Sequence, residues 1–148
     1  RLAGRPDGPS AEEADRGASQ LRMHMATLTI SDVRRFADAG GLMALTQLLE
    51  HCARSVVLAA GEQGKEAVLW RKACHNTLLS LRKFCDNSFG MTHLLRHQPR
   101  AVSTIVESLS IVPFLPPSEY PLGSCIFDIL SSFLFYYKSK SEELASAR

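Results

Sequence analysis

No stretch of this sequence alternates apolar and polar residues for long enough to build a sheet, which excludes the β and α/β architectures. It has no CxxC pair: Cys52, Cys74, Cys85 and Cys125 stand apart, three of them inside apolar helical stripes. That spacing argues against a zinc ribbon or a disulfide-stapled scaffold, and it reads as four free, buried thiols in a reducing compartment. No run reaches the ~18 apolar residues that a membrane-spanning helix needs, and Ile126–Tyr137 falls short, so no membrane insertion is expected. Neither sign of charge is in excess, with 17 Lys and Arg against 15 Asp and Glu. Arg71-Lys72 and Arg82-Lys83 have no aromatic residues interleaved with them. They read as solvated helix faces, with no nucleic-acid partner.

Catalytic patterns are missing too. No serine, cysteine or paired-carboxylate constellation can be assembled with any specificity. Gly61-Glu62-Gln63-Gly64-Lys65-Glu66 has the wrong spacing for a phosphate loop, and no Ser or Thr follows its lysine. His93 and His97 stand four apart, a spacing that can hold zinc, and a metal-dependent enzyme built on them is the one enzymatic alternative. No carboxylate or cysteine lies close in the same helix and no HExxH is present, so the pair reads as solvated. The expectation is a non-enzyme with no catalytic residues, no cofactor and no metal.

What is present is helical periodicity. From Glu66 to Leu95 the apolar positions Trp70, Ala73, Cys74, Thr77, Leu78, Leu81, Phe84 and Cys85 recur at steps of three and four. They form one stripe on a rod of roughly 30 Å, about the width of a small domain. A second stripe, His75, Leu79, Arg82 and Asp86, is polar apart from Leu79 and should face outward. Asn87 and Ser88 stop the rod, and Phe89 to Leu95 restarts at an angle.

Upstream, Arg1 to Ser19 carries one large aliphatic among glycines, prolines and mixed charges, and reads as a disordered tail or linker. Leu21 to Ala26 is a short helical piece. Ser31 is the expected cap of a helix with Val33, Phe36 and Ala37 inward, closed by Gly40-Gly41. Leu42 to Cys52 makes another helix, followed by a less regular stretch to Gly61 and Gly64. Downstream, Pro99 sits at a first helical position, ahead of the amphipathic Ala101, Val102, Ile105, Val106 and Leu109. Four prolines make Ile111–Pro121 an expected loop. Ile126 to Tyr137 is apolar nearly all round, the pattern of a helix covered on more than one side, and Ser139 to Arg148 should fray.

Three segments occupy equivalent places: 21–27, 81–87 and 130–136 each read as the end of a helix. Their spacing is somewhat wider than the ~40–47 residues of HEAT and armadillo repeats. The expected fold is therefore all-α, an incomplete armadillo/HEAT-like repeat in a right-handed superhelix. It spans residues 20–148 after the 1–19 tail, with Trp70, Leu78, Leu81, Phe84 and Leu130 buried. Arg1 is not an initiator, so the chain reads as a fragment.

Leu81-Arg82-Lys83-Phe84-Cys85-Asp86-Asn87-Ser88-Phe89-Gly90-Met91 resembles the armadillo-repeat inhibitory domain of diaphanous-related formins. That family carries a Met-Asn-Asn-type helix end followed by Phe-Gly-Ile and a short helix. Phe36-Ala37-Asp38-Ala39-Gly40-Gly41-Leu42 is similar to the family's Phe-x-x-x-Gly-Leu turn. Ile129-Leu130-Ser131-Ser132-Phe133-Leu134-Phe135 stands in the place of its Leu-Leu-Ser-Ala-Leu-Cys-Ile helix. Order and spacing agree over about residues 20–140.

The resemblance implies a cytoplasmic, cytoskeleton-associated regulator of actin assembly. Its partner would be the C-terminal autoregulatory helix of the same protein, lying in a concave groove until a Rho-type GTPase displaces it. Family groove positions fall on Arg82, Asp86, Met91, Ser132 and Phe135. Asp86 replaces the usual asparagine, Ser132 an alanine, and Phe135 an isoleucine. Ala26 and Thr27 stand where the family carries asparagines that touch the GTPase. On the last helix this reading displays Cys125, Ile129, Ser132 and Phe135–Tyr136, and turns Phe127, Leu130, Leu134 and Tyr137 inward. The alternative is a generic armadillo or HEAT peptide-binding scaffold unrelated to actin.

Overall fold

A computed structural model describes residues 8–60 and 64–146; 87% of these described residues are helical, with no strand among them. Residues 1–7, 61–63 and 147–148 lie outside them.

The described residues form seven α-helices: α1 (Ala11–Met25), α2 (Ile30–Asp38), α3 (Gly41–Leu58), α4 (Lys65–Phe84), α5 (Ser88–His97), α6 (Pro99–Glu107) and α7 (Tyr120–Ser146). Helix α4 is the expected central rod. All eight residues of its stripe are buried, and α1, α3 and α7 pack against it. Asn87 ends it as the cap of α5, its side chain accepting from the Gly90 amide at 2.8 Å. The elbow is tight: a Cβ on Gly90 would run into the Phe84 carbonyl, so α5 can leave α4 this steeply only from a glycine.

The N-terminal reading is corrected from residue 11 onward. Ser10 and Glu13 form a capping box, and Ala11, Ala14, Ala18 and Met25 bury one face of α1 along α4. Alanines carry little hydrophobic signal, but their small size lets two helices approach closely.

Thr29, not Ser31, caps α2. Its hydroxyl accepts from the Asp32 amide, while the Asp32 carboxylate accepts from the Thr29 amide at 3.1 Å. The bonds that the Thr29 amide and hydroxyl both donate to the carboxylate hold its pKa below the usual range. Gly40, at φ +84°, turns the chain into α3, which continues four residues past Arg54 and buries Val56.

Pro99 opens α6 as expected. The proline-rich stretch is more ordered than a loop: 3₁₀ turns span Ser108–Phe114 and Pro117–Glu119, anchored by the buried Ile111 and Leu115. The second turn is tied to α4 by an ion pair of 2.7 Å between Arg71 and Glu119. Arg71 is therefore a half-buried structural residue and not part of a solvated face.

Helix α7 departs furthest from expectation. It runs unbroken through Ser139 to Ser146, so the third of the equivalent segments lies mid-helix and not at a helix end. It is covered on one side only. Leu122, Cys125, Ile126, Ile129 and Phe133 are buried, while Phe127, Leu134, Phe135 and Tyr137 are exposed. Cys125 and Ile129 thus belong to the core, Phe127, Leu134 and Tyr137 to the surface, and Leu130 is half-buried. Tyr136 also turns inward, its hydroxyl 3.0 Å from that of Thr92 on α5.

All four cysteines are free and buried. Burial pushes the Cys52 and Cys85 thiols up to about 12, and raises Cys74 and Cys125 as well. At neutral pH these are packing groups and not nucleophiles.

Candidate functional site

The ends of α1 and α4 and the middle of α7 meet at one surface. Helix α1 brings Arg22 and Ala26; α4 brings Leu79, Arg82, Lys83 and Asp86. These six residues line a shallow pocket of about 250 Å³. Arg22 donates to the Asn76 side-chain oxygen at 3.1 Å, fixing the end of α1 against α4. Arg82 reaches Asp128 of α7 at 3.4 Å, and Lys83 lies 3.8 Å from Asp86. Both pairs are solvent-exposed, so they orient side chains more than they stabilise the fold. The two cations also sit in the last turn of α4, where the helix dipole favours positive charge.

His75, one turn before Leu79 on the same flank, is half-buried. Desolvation, with help from Arg22 and Arg82, lowers its pKa; Glu119 acts in the opposite sense.

Of the five groove positions suggested by resemblance, Arg82 and Asp86 are exposed at this pocket. Ser132 is half-buried one turn beyond Asp128, its hydroxyl donating to the Ile129 carbonyl at 2.7 Å. Phe135 follows and is exposed. Asp128, Ser132 and Phe135 are spaced at i, i+4 and i+7, so they share the flank of α7 that faces Arg82.

Met91 does not join them. It is buried beneath α5, because the Asn87 cap sets the helix so that Met91 and Leu94 both point to the core. Ala26 and Thr27 are exposed at the end of α1, with the Thr27 hydroxyl donating to the His24 carbonyl.

Two members of the face went unread in the sequence. Asp128 is a lone carboxylate inside the apolar IFDILSSF run, a signal for a polar flank. Arg22 had no such signal, since its role comes from packing between α1 and α4.

His93 stacks on Phe89 with ring centroids 5.6 Å apart and lies 5.5 Å from His97. Among the described residues, no three His, Cys, Asp or Glu side chains are grouped to hold a metal ion. The surface brings together the cations Arg22, Arg82 and Lys83, the carboxylates Asp86 and Asp128, and the exposed ring of Phe135.

Comparison of the chain with family models, curated proteins and solved structures returns no match.

Proposed function

We propose that this chain is a regulatory protein-interaction domain of the diaphanous-related formin type, an armadillo-like repeat that controls actin assembly in the cytoplasm. It holds an amphipathic autoregulatory helix from the C-terminal part of its own protein. The helix lies across Arg82, Asp86, Ser132 and Phe135, and a Rho-type GTPase releases it by competing at the Ala26–Thr27 end of α1. The observation that carries this reading is the pocket where Ala26, Leu79, Arg82 and Asp86 converge, joined to α7 through Asp128. Apolar ground at Leu79 and Phe135 would take the helix's anchors, while Arg82 and Asp86 would fix its direction.

The uninterrupted course of α7 through residues 130–136 favours a second reading. In it, the same face belongs to a helical scaffold that binds another peptide and has no link to actin.

Binding of a formin autoregulatory peptide, followed by fluorescence anisotropy, separates the two. Under the first reading the chain binds it, and Ser132→Asp places a second carboxylate under the helix, one turn from Asp128. That costs roughly 2 kcal/mol or more, about thirtyfold in affinity. The thermal melt of the variant should match the parent, since Ser132 faces outward. A parent chain that does not bind the peptide leaves the scaffold reading. Binding untouched by Ser132→Asp moves the groove elsewhere.

A further inference from the structure

Helix α5 carries two imidazoles that the proposed groove does not use. His93 and His97 stand one turn apart, with ring centroids separated by 5.5 Å. Apart from ring contacts, neither has a hydrogen bond or ion pair among the described residues, so each neutral ring keeps a free lone pair. His93 is half-buried and held in place: its ring stacks on Phe89 at 5.6 Å and meets Phe84 edge-on at 6.2 Å. The Arg34 guanidinium in turn steadies Phe89, 4.4 Å from the ring centroid. His97 is exposed and is the last residue of the helix.

That separation suits two rings sharing one ion. Imidazole nitrogens bind zinc at about 2.0–2.1 Å, which sets two ring centroids roughly 5 Å apart at the tetrahedral angle. The observed 5.5 Å is closed by a small rotation of the exposed His97 ring. The place in the helix favours a cation too, because the last carbonyls of α5 lack helical partners and the dipole there is negative. Arg96 in the same turn opposes the ion, but through solvent. The other histidines are less suited. Nε2 of His51 lies 3.1 Å from the Pro9 carbonyl oxygen, and neither His24 nor His75 has a second imidazole in ring contact. All four thiols are buried and do not compete.

We propose that His93 and His97 chelate one divalent transition-metal ion of the zinc class at the C-terminal end of α5. Imidazole suits zinc, copper and nickel, so the site selects that class over magnesium and calcium, which prefer oxygen ligands. No third His, Cys, Asp or Glu side chain joins the pair among the described residues. The ion therefore keeps its other positions for water or for a donor from another molecule, and it exchanges freely, unlike a four-ligand structural zinc. Its effect on the chain is local. The chelate ties the last turn of α5 to the turn before it, just ahead of Gln98 and the start of α6 at Pro99.

Titration of the tag-free chain with Zn²⁺, followed by calorimetry and by the histidine ring resonances in NMR, tests the site. The expected result is one ion per chain with a Kd of about 100 µM or tighter. The ring signals of His93 and His97 should move together along the titration, while those of His24, His51 and His75 stay in place. His97→Gln, at an exposed position, should weaken binding at least about tenfold and leave the melt of the metal-free protein unchanged. His93→Gln should weaken binding equally, and Mg²⁺ should not displace Zn²⁺ from the parent. Absence of saturable binding up to about 1 mM Zn²⁺ overturns the proposal. Binding indifferent to His97→Gln, or a titration that moves the other histidines first, marks an adventitious ion elsewhere and overturns it as well.

Discussion

Helices α4 and α7 are the two long rods of this molecule, and they bury themselves in opposite ways. Helix α4 has charges and amides along its length, yet nine of its 20 residues are buried. Helix α7 contains the most apolar run of the chain, and only six of its 27 residues are buried. The difference lies in the neighbours. Helix α4 is enclosed by α1, α3 and α7, so a stripe of ordinary width is covered completely. Helix α7 is the outermost layer, packed against α4 and the 3₁₀ turns on one side with nothing among the described residues on the other. Apolar character states what a helix would bury; the arrangement of other helices decides how much it does bury.

The largest test of that contrast sets two leucine truncations side by side. Leu81→Ala in α4 should destabilise the fold by roughly 2–5 kcal/mol in chemical denaturation, the range for filled cores. Leu134→Ala in α7, in dilute protein, should stay within about 0.5 kcal/mol of the parent. Equal losses would mean that α7 is covered after all.

Two glycines sharpen the comparison with opposite signs. Gly90→Ala drives a methyl into the Phe84 carbonyl at the end of α4, and should cost about 1–3 kcal/mol in a thermal melt. Gly123→Ala on α7 meets a Val112 methyl at 3.6 Å, an ordinary contact, and gains helix propensity, so it should be neutral or stabilise by up to about 1 kcal/mol. A damaging Gly123→Ala would reveal hidden tightness at α7.

A smaller effect concerns the cover on α4. Ser10→Ala removes the acceptor for the Glu13 amide in the capping box and should cost about 1 kcal/mol. Hydrogen exchange of α1 should rise more than that of α7; the reverse order would break the claim that α1 shields α4 independently of α7.

The smallest is a pH effect on the outer flank of α4. The pKa of His75 is lowered in the fold, so between the folded value and the unfolded value of about 6.5 the unfolded chain binds more protons. Stability from this group is intact above about pH 6.5 and falls as pH drops through that value toward the folded one. His75→Gln should flatten that part of the stability profile. An unchanged slope would mean that His75 is as solvated as Asp86.

Much of this was legible in the residues. The stripe of α4, the Asn87 stop, the Pro99 start and the Gly40 turn each follow from a local rule that distant contacts do not overrule. Misreadings arose where the signal was weak or two-sided. Ala11, Ala14 and Ala18 look like linker because a methyl group buries little area, yet their smallness is what admits α1 to the surface of α4. For the candidate site, the outward stripe of Arg82 and Asp86 was readable from periodicity. Met91 was not, because its direction depends on the angle that Gly90 permits between two helices.

By itself, the sequence determined that the chain is all-helical, where most of its helices begin, and that α4 is the spine. Those properties depend on spacing and caps within a few residues. Only the tertiary structure decided which side of α7 is covered, that Phe127, Leu134 and Tyr137 stay in solvent, and that Asp128 meets Arg82. A helix apolar on every side carries no internal mark of inside and outside. Its orientation is set by which flank fits against α4 and the 3₁₀ turns, a choice made between elements far apart in the chain.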